Sequence, residues 1–400
     1  MKKIKEILRA FYRSYLHEFS LAIHDPGIVL FFAFLPLVYP VVYSLIYNPE
    51  VVRDVPMVVV DNDRTVMSRK LTRMLDATDE IWVKGYAANL QEARRAMDSK
   101  ECFSILEIPE GFEKKIGNNE TAPAVLYSDM TLLLRFRGTL VAATEVMQSI
   151  GSELLAEKID EVAPLAMTVV SGDLLPIENV SMGNINNGFD TFIMPGVIVL
   201  ILHQCIVLAI GMAGGAKRES TRLVGYNPVA LSGSTLVAML AQSACYLTIL
   251  ILPVIYMFHY IPLMFSFPMC GNFFQEMMFL LPMMLACCGM GFVFQAIVVE
   301  REAVFVSWVI TSLVFLLLSG LIWPRYDMYG FWRWVGSLLP STWAVEGYVR
   351  METNGARLYQ VYNDYINLWI LAAVWWMAGW LCQKWLVRPA IMKARGLAVR

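Results

Sequence analysis

Six stretches of this chain are too long and too apolar to be covered in a water-soluble fold. They occupy residues 28–47, 191–212, 235–258, 273–299, 303–323 and 366–386. A helix rises 1.5 Å per residue, so about 20 residues cross a ~30 Å hydrocarbon layer with every backbone polar group bonded internally. Between the first stretch and the second lies a polar block that reads like a soluble domain. The pattern predicts a membrane α-helical protein of six transmembrane helices, with an extracytoplasmic α/β domain inserted between helices 1 and 2. Composition agrees: 57% of the 400 residues are hydrophobic and 16% charged, against about 45–50% and about 25% in soluble domains. The net charge of −2 gives no case for a nucleic-acid partner. The first apolar run starts near Ile28 and lacks a small-residue cleavage site at its end, so it reads as a retained span and not as a signal peptide.

Lysine and arginine set the orientation. They crowd the N-terminal tail (Lys2, Lys3, Lys5, Arg9, Arg13), the 214–234 loop (Lys217, Arg218, Arg222) and the C-terminal tail (Lys384, Arg388, Lys393, Arg395, Arg400). The 260–272 link has none. Both termini are therefore expected in the cytosol and the polar block outside. Arg325, Arg333, Arg350 and Arg357, in an outward segment, run against this rule. Residues 1–26 read as a basic amphipathic helix, which suits the cytosolic membrane interface or packing on protein. The layout is then span one at 27–47, the outward domain at 48–190, five spans across 191–386, and a basic tail at 387–400.

Within the outward block, strands are expected at 55–61, 81–86, 102–108 and 124–127. Helices are expected at 65–77, capped by Asp63, at 89–99, capped by Asn89, and at 132–161. Asp61-Asn62-Asp63 lacks the glycine and terminal glutamate of a calcium loop and reads better as a turn. No nucleophile–base constellation is present, so no catalytic residue and no metal site is assigned. Of seven cysteines only Cys102 falls in the block, which excludes a disulfide framework there; Cys287-Cys288 reads as core.

The spans hold few ionisable groups. His203 and Gln204, with Gln242, Gln275, Glu276 and Gln295, read more readily as contacts between helices than as a proton relay, which disfavours ion-gradient coupling. No phosphate-binding Gly-x-x-x-x-Gly-Lys-Ser/Thr loop exists. The nearest stretch, from Gly211 to Arg218, has Ala216 in place of the second glycine.

Four ordered passages carry a family resemblance. They are Val58-Val59-Val60-Asp61-Asn62-Asp63 followed by Ile108-Pro109-Glu110-Gly111-Phe112; Lys217-Arg218-Glu219-Ser220-Thr221-Arg222-Leu223 with Asn227-Pro228; Leu318-Ser319-Gly320-Leu321-Ile322-Trp323-Pro324; and Leu339-Pro340-Ser341-Thr342-Trp343-Ala344-Val345-Glu346-Gly347-Tyr348. Together they resemble the membrane subunit (permease) of a type-2 ABC exporter, of the subgroup with a large periplasmic domain after the first transmembrane helix. Ser220 stands where that family usually has glycine.

The resemblance implies that Lys217, Arg218, Glu219, Ser220, Thr221, Arg222 and Leu223, with the second turn Glu300, Arg301 and Glu302, couple to ATP-binding subunits. It implies an outer re-entrant region at 324–365, with Gly320, Trp323, Pro324, Pro340, Trp343 and Glu346 at the outer gate. ATP and magnesium would sit on two partner ATP-binding cassette subunits, none on this chain. A homodimer or a heterodimer with a related permease, a periplasmic adaptor and an outer-membrane channel are further implied partners. The location implied is the bacterial cytoplasmic (inner) membrane. Methionines in spans three and four, such as Met257, Met277, Met283 and Met290, suit an amphipathic, drug-like or lipid-like substrate, or ordinary gap filling. The alternative reading is a membrane-anchored receptor or scaffold whose outer domain binds a partner protein.

Overall fold

A computed structural model describes residues 2–47, 52–118, 120–162, 184, 188–224, 234–298 and 300–387. The chain divides into two compact units, Pro49–Val180 on one hand and Met1–Asn48 with Ser181–Arg400 on the other. The chain opens with α1 (Lys2–His24), α2 (Pro26–Val29), a π-turn at Leu30–Phe34, and α3 (Leu35–Tyr47). Along α1, Ser14, Glu18 and Ala22 form a buried stripe one turn apart, while Ile4, Leu8, Tyr12, Phe19 and Ile23 stay exposed. The helix therefore has a protein-packed face and a free apolar face. Asp25 turns the corner, its carboxylate accepting from the Gly27 and Ile28 N–H groups at 2.9 and 3.3 Å.

The unit Pro49–Val180 holds β1 (Val55–Asp61), α4 (Val66–Asp76), β2 (Ile81–Tyr86), α5 (Leu90–Asp98), β3 (Ser104–Ile108), α6 (Phe112–Gly117), β4 (Val125–Ser128) and α7 (Leu133–Val162). The strands pair in the order β2-β1-β3-β4; the first two pairings are parallel and β3–β4 is antiparallel. Central β1 is a continuous apolar run because both sheet faces are covered. Met57 and Val59 join Leu71, Leu75, Phe112 and Val146 on one side, and Val58 and Val60 join Ala93 and Cys102 on the other. Asn89 caps α5 as expected. The expected cap of α4 is corrected: Thr65 fills that position in a reciprocal pair with Ser68, which frees Asp63 for another contact.

The remaining unit is helical: α8 (Phe189–Val224), α9 (Thr235–Ile255), α10 (Ile261–Phe265), α11 (Phe273–Ile297), α12 (Glu302–Leu318), α13 (Gly330–Ser337), α14 (Pro340–Asn354) and α15 (Tyr362–Cys382). From Met194 to Lys217, α8 is buried nearly throughout, with α3, α11, α12 and α14 packed on it. Helices α11 and α15 cross at two glycines. A Cβ on Gly379 would lie 2.8 Å from the Gly289 carbonyl oxygen, and one on Gly289 would lie 2.6 Å from the Trp375 backbone. Backbones can approach this closely only where small residues face each other.

Five helical stretches are long and apolar enough to cross a membrane: Pro26–Tyr47, Phe189–Glu219, Thr235–Phe265, Phe273–Ile297 and Tyr362–Val387. The fifth expected span, at 303–323, is represented by α12, which has only 17 residues. Its helix stops at Ser319 because Gly320 adopts φ +87°, and Pro324 follows. The loop expected from residue 214 is also corrected, since α8 stays helical to Val224. Residues 225–233, including Asn227-Pro228, and the tail from 388 lie outside the described residues.

Candidate functional site

The residues expected to couple to a partner gather at one end of the helical unit, and most of their charge turns inward. Lys217 is buried, its Nζ 2.5 Å from Glu18 Oε1 on α1, whose side chain is fully buried. Gln242 accepts from the same ammonium at 3.2 Å and donates to the Tyr246 hydroxyl, which donates to Glu18 Oε2 at 3.2 Å. A buried pair like this holds α1, α8 and α9 together only while both charges remain. Arg218 crosses to the end of α11, donating to the Val298 carbonyl at 2.6 Å and to that of Ala296 at 3.5 Å. Carbonyls of a last helical turn lack partners in their own helix, so a guanidinium there completes α11.

Arg301 is the hub of this end. It bonds Asp25 Oδ1 at 2.6 Å and lies 3.6 Å from Glu219 Oε2. The corner before span one, the end of α8 and the start of α12 thus meet on one guanidinium. Glu300 and Glu302 flank it, both exposed. Ser220, Thr221, Arg222 and Leu223 belong to the last turn of α8, and their side chains lie outside the described residues. The glycines that superficially resemble a phosphate loop are helical and serve packing. A Cβ on Gly211 would meet Phe294, and one on Gly215 would lie 3.2 Å from Arg301 Cα.

The other group of expected residues meets beyond the far end of α12. The Arg325 guanidinium lies 4.0 Å above the Trp343 ring, 2.9 Å from Glu346 Oε2 and 3.1 Å from Ser337 Oγ. Glu346 also holds Arg350 at 2.6 Å, and Arg350 approaches Asp364 at 3.8 Å. Gly320 makes room for the Arg325 stem, since a Cβ there would lie 2.8 Å from Arg325 Cγ. Pro340 opens α14 at a position that needs no N–H. Trp323 joins Val314, Leu317, Leu318, Met328, Tyr329 and Trp332 around a mainly apolar cavity of about 410 Å³, with Asp327 the one charged residue of its lining. Pro324 precedes a single 3₁₀ turn, Arg325–Asp327. Sequence reasoning missed Arg325 as the organiser of this cluster. Its signal was present as one of the arginines that ran against the charge rule. Arg325 and Arg350 are both neutralised locally.

Mid-span polar groups are contacts between helices. His203 stacks on Phe315 and lies 3.4 Å from Met290 Sδ, and Gln204 accepts from Trp308 Nε1 at 3.2 Å. In the other unit, Asp63 accepts from the N–H groups of Gly111, Phe112 and Glu113 at 2.8–3.1 Å and from the Thr65 hydroxyl at 2.6 Å. Burial alone would raise its pKa. The Thr65 hydroxyl and the three N–H groups outweigh that and hold it below the ordinary carboxylate range. Gly111 sits at φ +78°, a conformation that only glycine adopts freely. The Asp-Asn-Asp and Ile-Pro-x-Gly-Phe passages are thus two halves of one structural clasp. Among the described residues no group of three or more metal-ligating side chains occurs.

Residues 26–381 match the family described as ABC-2 family transporter protein, and the chain belongs to that family. No curated protein matches it. It is accordingly a multi-pass membrane protein, the membrane transport subunit of an ABC system that partners with ATP-binding subunits. Subunits of this class are generally not catalytic on their own.

Proposed function

We propose that this chain is the permease of an ATP-driven exporter in a bacterial cytoplasmic membrane, moving an amphipathic or hydrophobic substrate outward. Both termini lie in the cytosol, α12 completes a set of six spans, and the unit Pro49–Val180 stands on the outer side. Two copies, or one copy and a related permease, bind two ATP-binding subunits, which hold the ATP and magnesium. A periplasmic adaptor and an outer-membrane channel are candidate further partners of the outer unit.

The observation that carries this reading is the Arg301 hub. A partner that pushes on the end of α8 acts at once on the Asp25 corner and on α12 through Arg301, on α11 through Arg218, and on α1 and α9 through Lys217. Few of these charges are left for direct recognition. Docking is therefore assigned to the exposed Glu219, Glu300 and Glu302 and the last turn of α8, while Lys217, Arg218 and Arg301 transmit the displacement. The apolar cavity at Trp323 suits the hydrocarbon part of a substrate leaving at the other end.

Purifying the full chain from its native membrane tests the assignment. An ATPase should co-purify, and its turnover in liposomes should rise with some members of a panel of lipids and cationic drugs. Absence of any associated ATPase would overturn the proposal.

A further inference from the structure

At the end of α11 remote from Arg218, two acids face each other without a counter-charge. Glu276, in the first turn of α11, and Glu352, near the end of α14, are each 2% exposed. Gly271 packs against both Glu276 Oε1 and the Met351 carbonyl, which brings the two carboxyls into each other's field, and Oε1 of each is buried without a hydrogen-bond donor. Among the described residues no lysine, arginine or histidine forms an ion pair with either. Arg350, the one arginine of α14, is engaged by Glu346 and Asp364, and Arg325 by Glu346. The other ionisable groups nearby are Tyr348, whose phenol feels both carboxyls, and His259, whose ring packs on Phe273 at the start of α11. The backbone is shaped around the pair: a Cβ on Gly271 would collide with Glu276 Oε1. The same joint carries two further bonds, Cys270 N–H to the Glu352 carbonyl at 2.9 Å and Leu358 N–H to Gln275 Oε1 at 3.2 Å.

Two carboxylates cannot both stay ionised at hydrogen-bond contact in a site this dry. With one proton between them they form a charge-assisted O–H···O pair, among the stronger hydrogen bonds available to side chains. We propose that Glu276 and Glu352 share a single proton, and that this proton is the latch holding the end of α14 on the start of α11. Its loss places two like charges in contact, which separates α14 and the following Gly355–Val361 link from α11. The latch is a proton-binding site on the transport subunit, distinct from the coupling end. Only the compartment whose pH it reads rests on the orientation proposed above.

The sign follows from proton linkage. Burial first, and then the neighbouring acid, push the Glu352 carboxyl up to about 9 from 4.5. The docked joint binds the proton more tightly than a water-exposed carboxyl does. Docking is therefore complete below the ordinary carboxyl range and weakens about tenfold per pH unit as pH rises towards about 9.

Hydrogen–deuterium exchange on the full chain in lipid nanodiscs, corrected for intrinsic exchange chemistry, tests this. In the wild type, protection of peptides covering 268–276 and 350–361 should fall about tenfold per pH unit between about pH 5 and about pH 9. In the double variant Glu276→Gln with Glu352→Gln no carboxyl remains at the joint, and protection should stay flat with pH. Glu276→Gln with Glu352→Met is the second variant should the first fail to fold. Infrared spectra of the wild type at neutral pH should show a protonated-carboxyl band that both variants lose. Flat protection in the wild type, an unchanged pH dependence in the variants, or no such band would overturn the latch. So would protection at high pH that calcium restores and a chelator removes, because the pair would then hold a cation. None of these readouts needs an ATPase partner, so failure of the latch and failure of the exporter assignment are distinguishable.

Discussion

Lys217, Arg218 and Glu219 are adjacent in sequence and do three different jobs, because successive positions on a helix point about 100° apart. Lys217 turns inward to Glu18, Arg218 reaches the end of α11, and Glu219 stays exposed beside Arg301. Removing one side of the buried pair leaves an uncompensated charge, so Glu18→Gln or Lys217→Met should each cost about 3–5 kcal/mol. The double variant should recover most of that loss. Thermal unfolding of the purified chain checks this, and purely additive losses would speak against the pair. Asp63 gives a second case. Replacing it with alanine strips three N–H groups and one hydroxyl of their acceptor and should destabilise that joint by about 2–3 kcal/mol, seen as faster exchange in peptides around residues 108–116. Because its pKa is depressed in the folded state, the clasp contributes stability above the ordinary carboxylate range. That contribution is lost as pH falls through the depressed value. A clasp that strengthened on acidification would contradict the geometry. At this scale the sequence shows that Asp63 and Lys217 are charged but not what they meet. Nothing local in the sequence says that Asp63 meets Gly111, or Lys217 meets Glu18, because those contacts are made by tertiary folding.

Helices α11 and α15 show how far an element can be read from its sequence. Their existence follows from apolar length, but α15 begins at Tyr362, ahead of the apolar run expected from 366, and Asn272 caps the start of α11. Their partnership depends on Gly289 and Gly379, which in isolation read only as weak helix formers. A valine at Gly289 would drive its side chain into the Trp375 backbone, which cannot rotate away. The cost should be about 1–3 kcal/mol or more, visible as a lower unfolding temperature and a smaller monodisperse fraction. Unchanged stability would mean that the crossing is looser than the structure has it. Two element boundaries were misread for physical reasons. The turn signals at Gly214-Gly215 belong to close helix packing, so α8 runs on to Val224. The apolar run through Trp323 does not keep α12 helical, because Gly320 adopts a left-handed conformation after Ser319.

At the scale of the molecule, what was legible was the alternation of apolar runs with a polar insert, and that alternation is a property of the solvent each segment meets. The family follows from the match over residues 26–381. The two polar clusters, on Arg301 and Arg325, were not legible as clusters. The Arg301 cluster joins segments far apart in sequence, Asp25 with Arg301, and the Arg325 cluster joins separate short helices and turns across a bend in the chain. They sit at opposite ends of α12, separated by roughly 25 Å of helix at 1.5 Å per residue. In the proposed complex Arg301 transmits displacement from the ATP-binding subunits to the spans. Parallel assays of transport and ATP hydrolysis by the complex in liposomes, wild type against Arg301→Met, test it most directly. The ATP-binding subunits should still co-purify while transport per ATP hydrolysed falls about tenfold or more. Unchanged transport per ATP hydrolysed in the variant would contradict it.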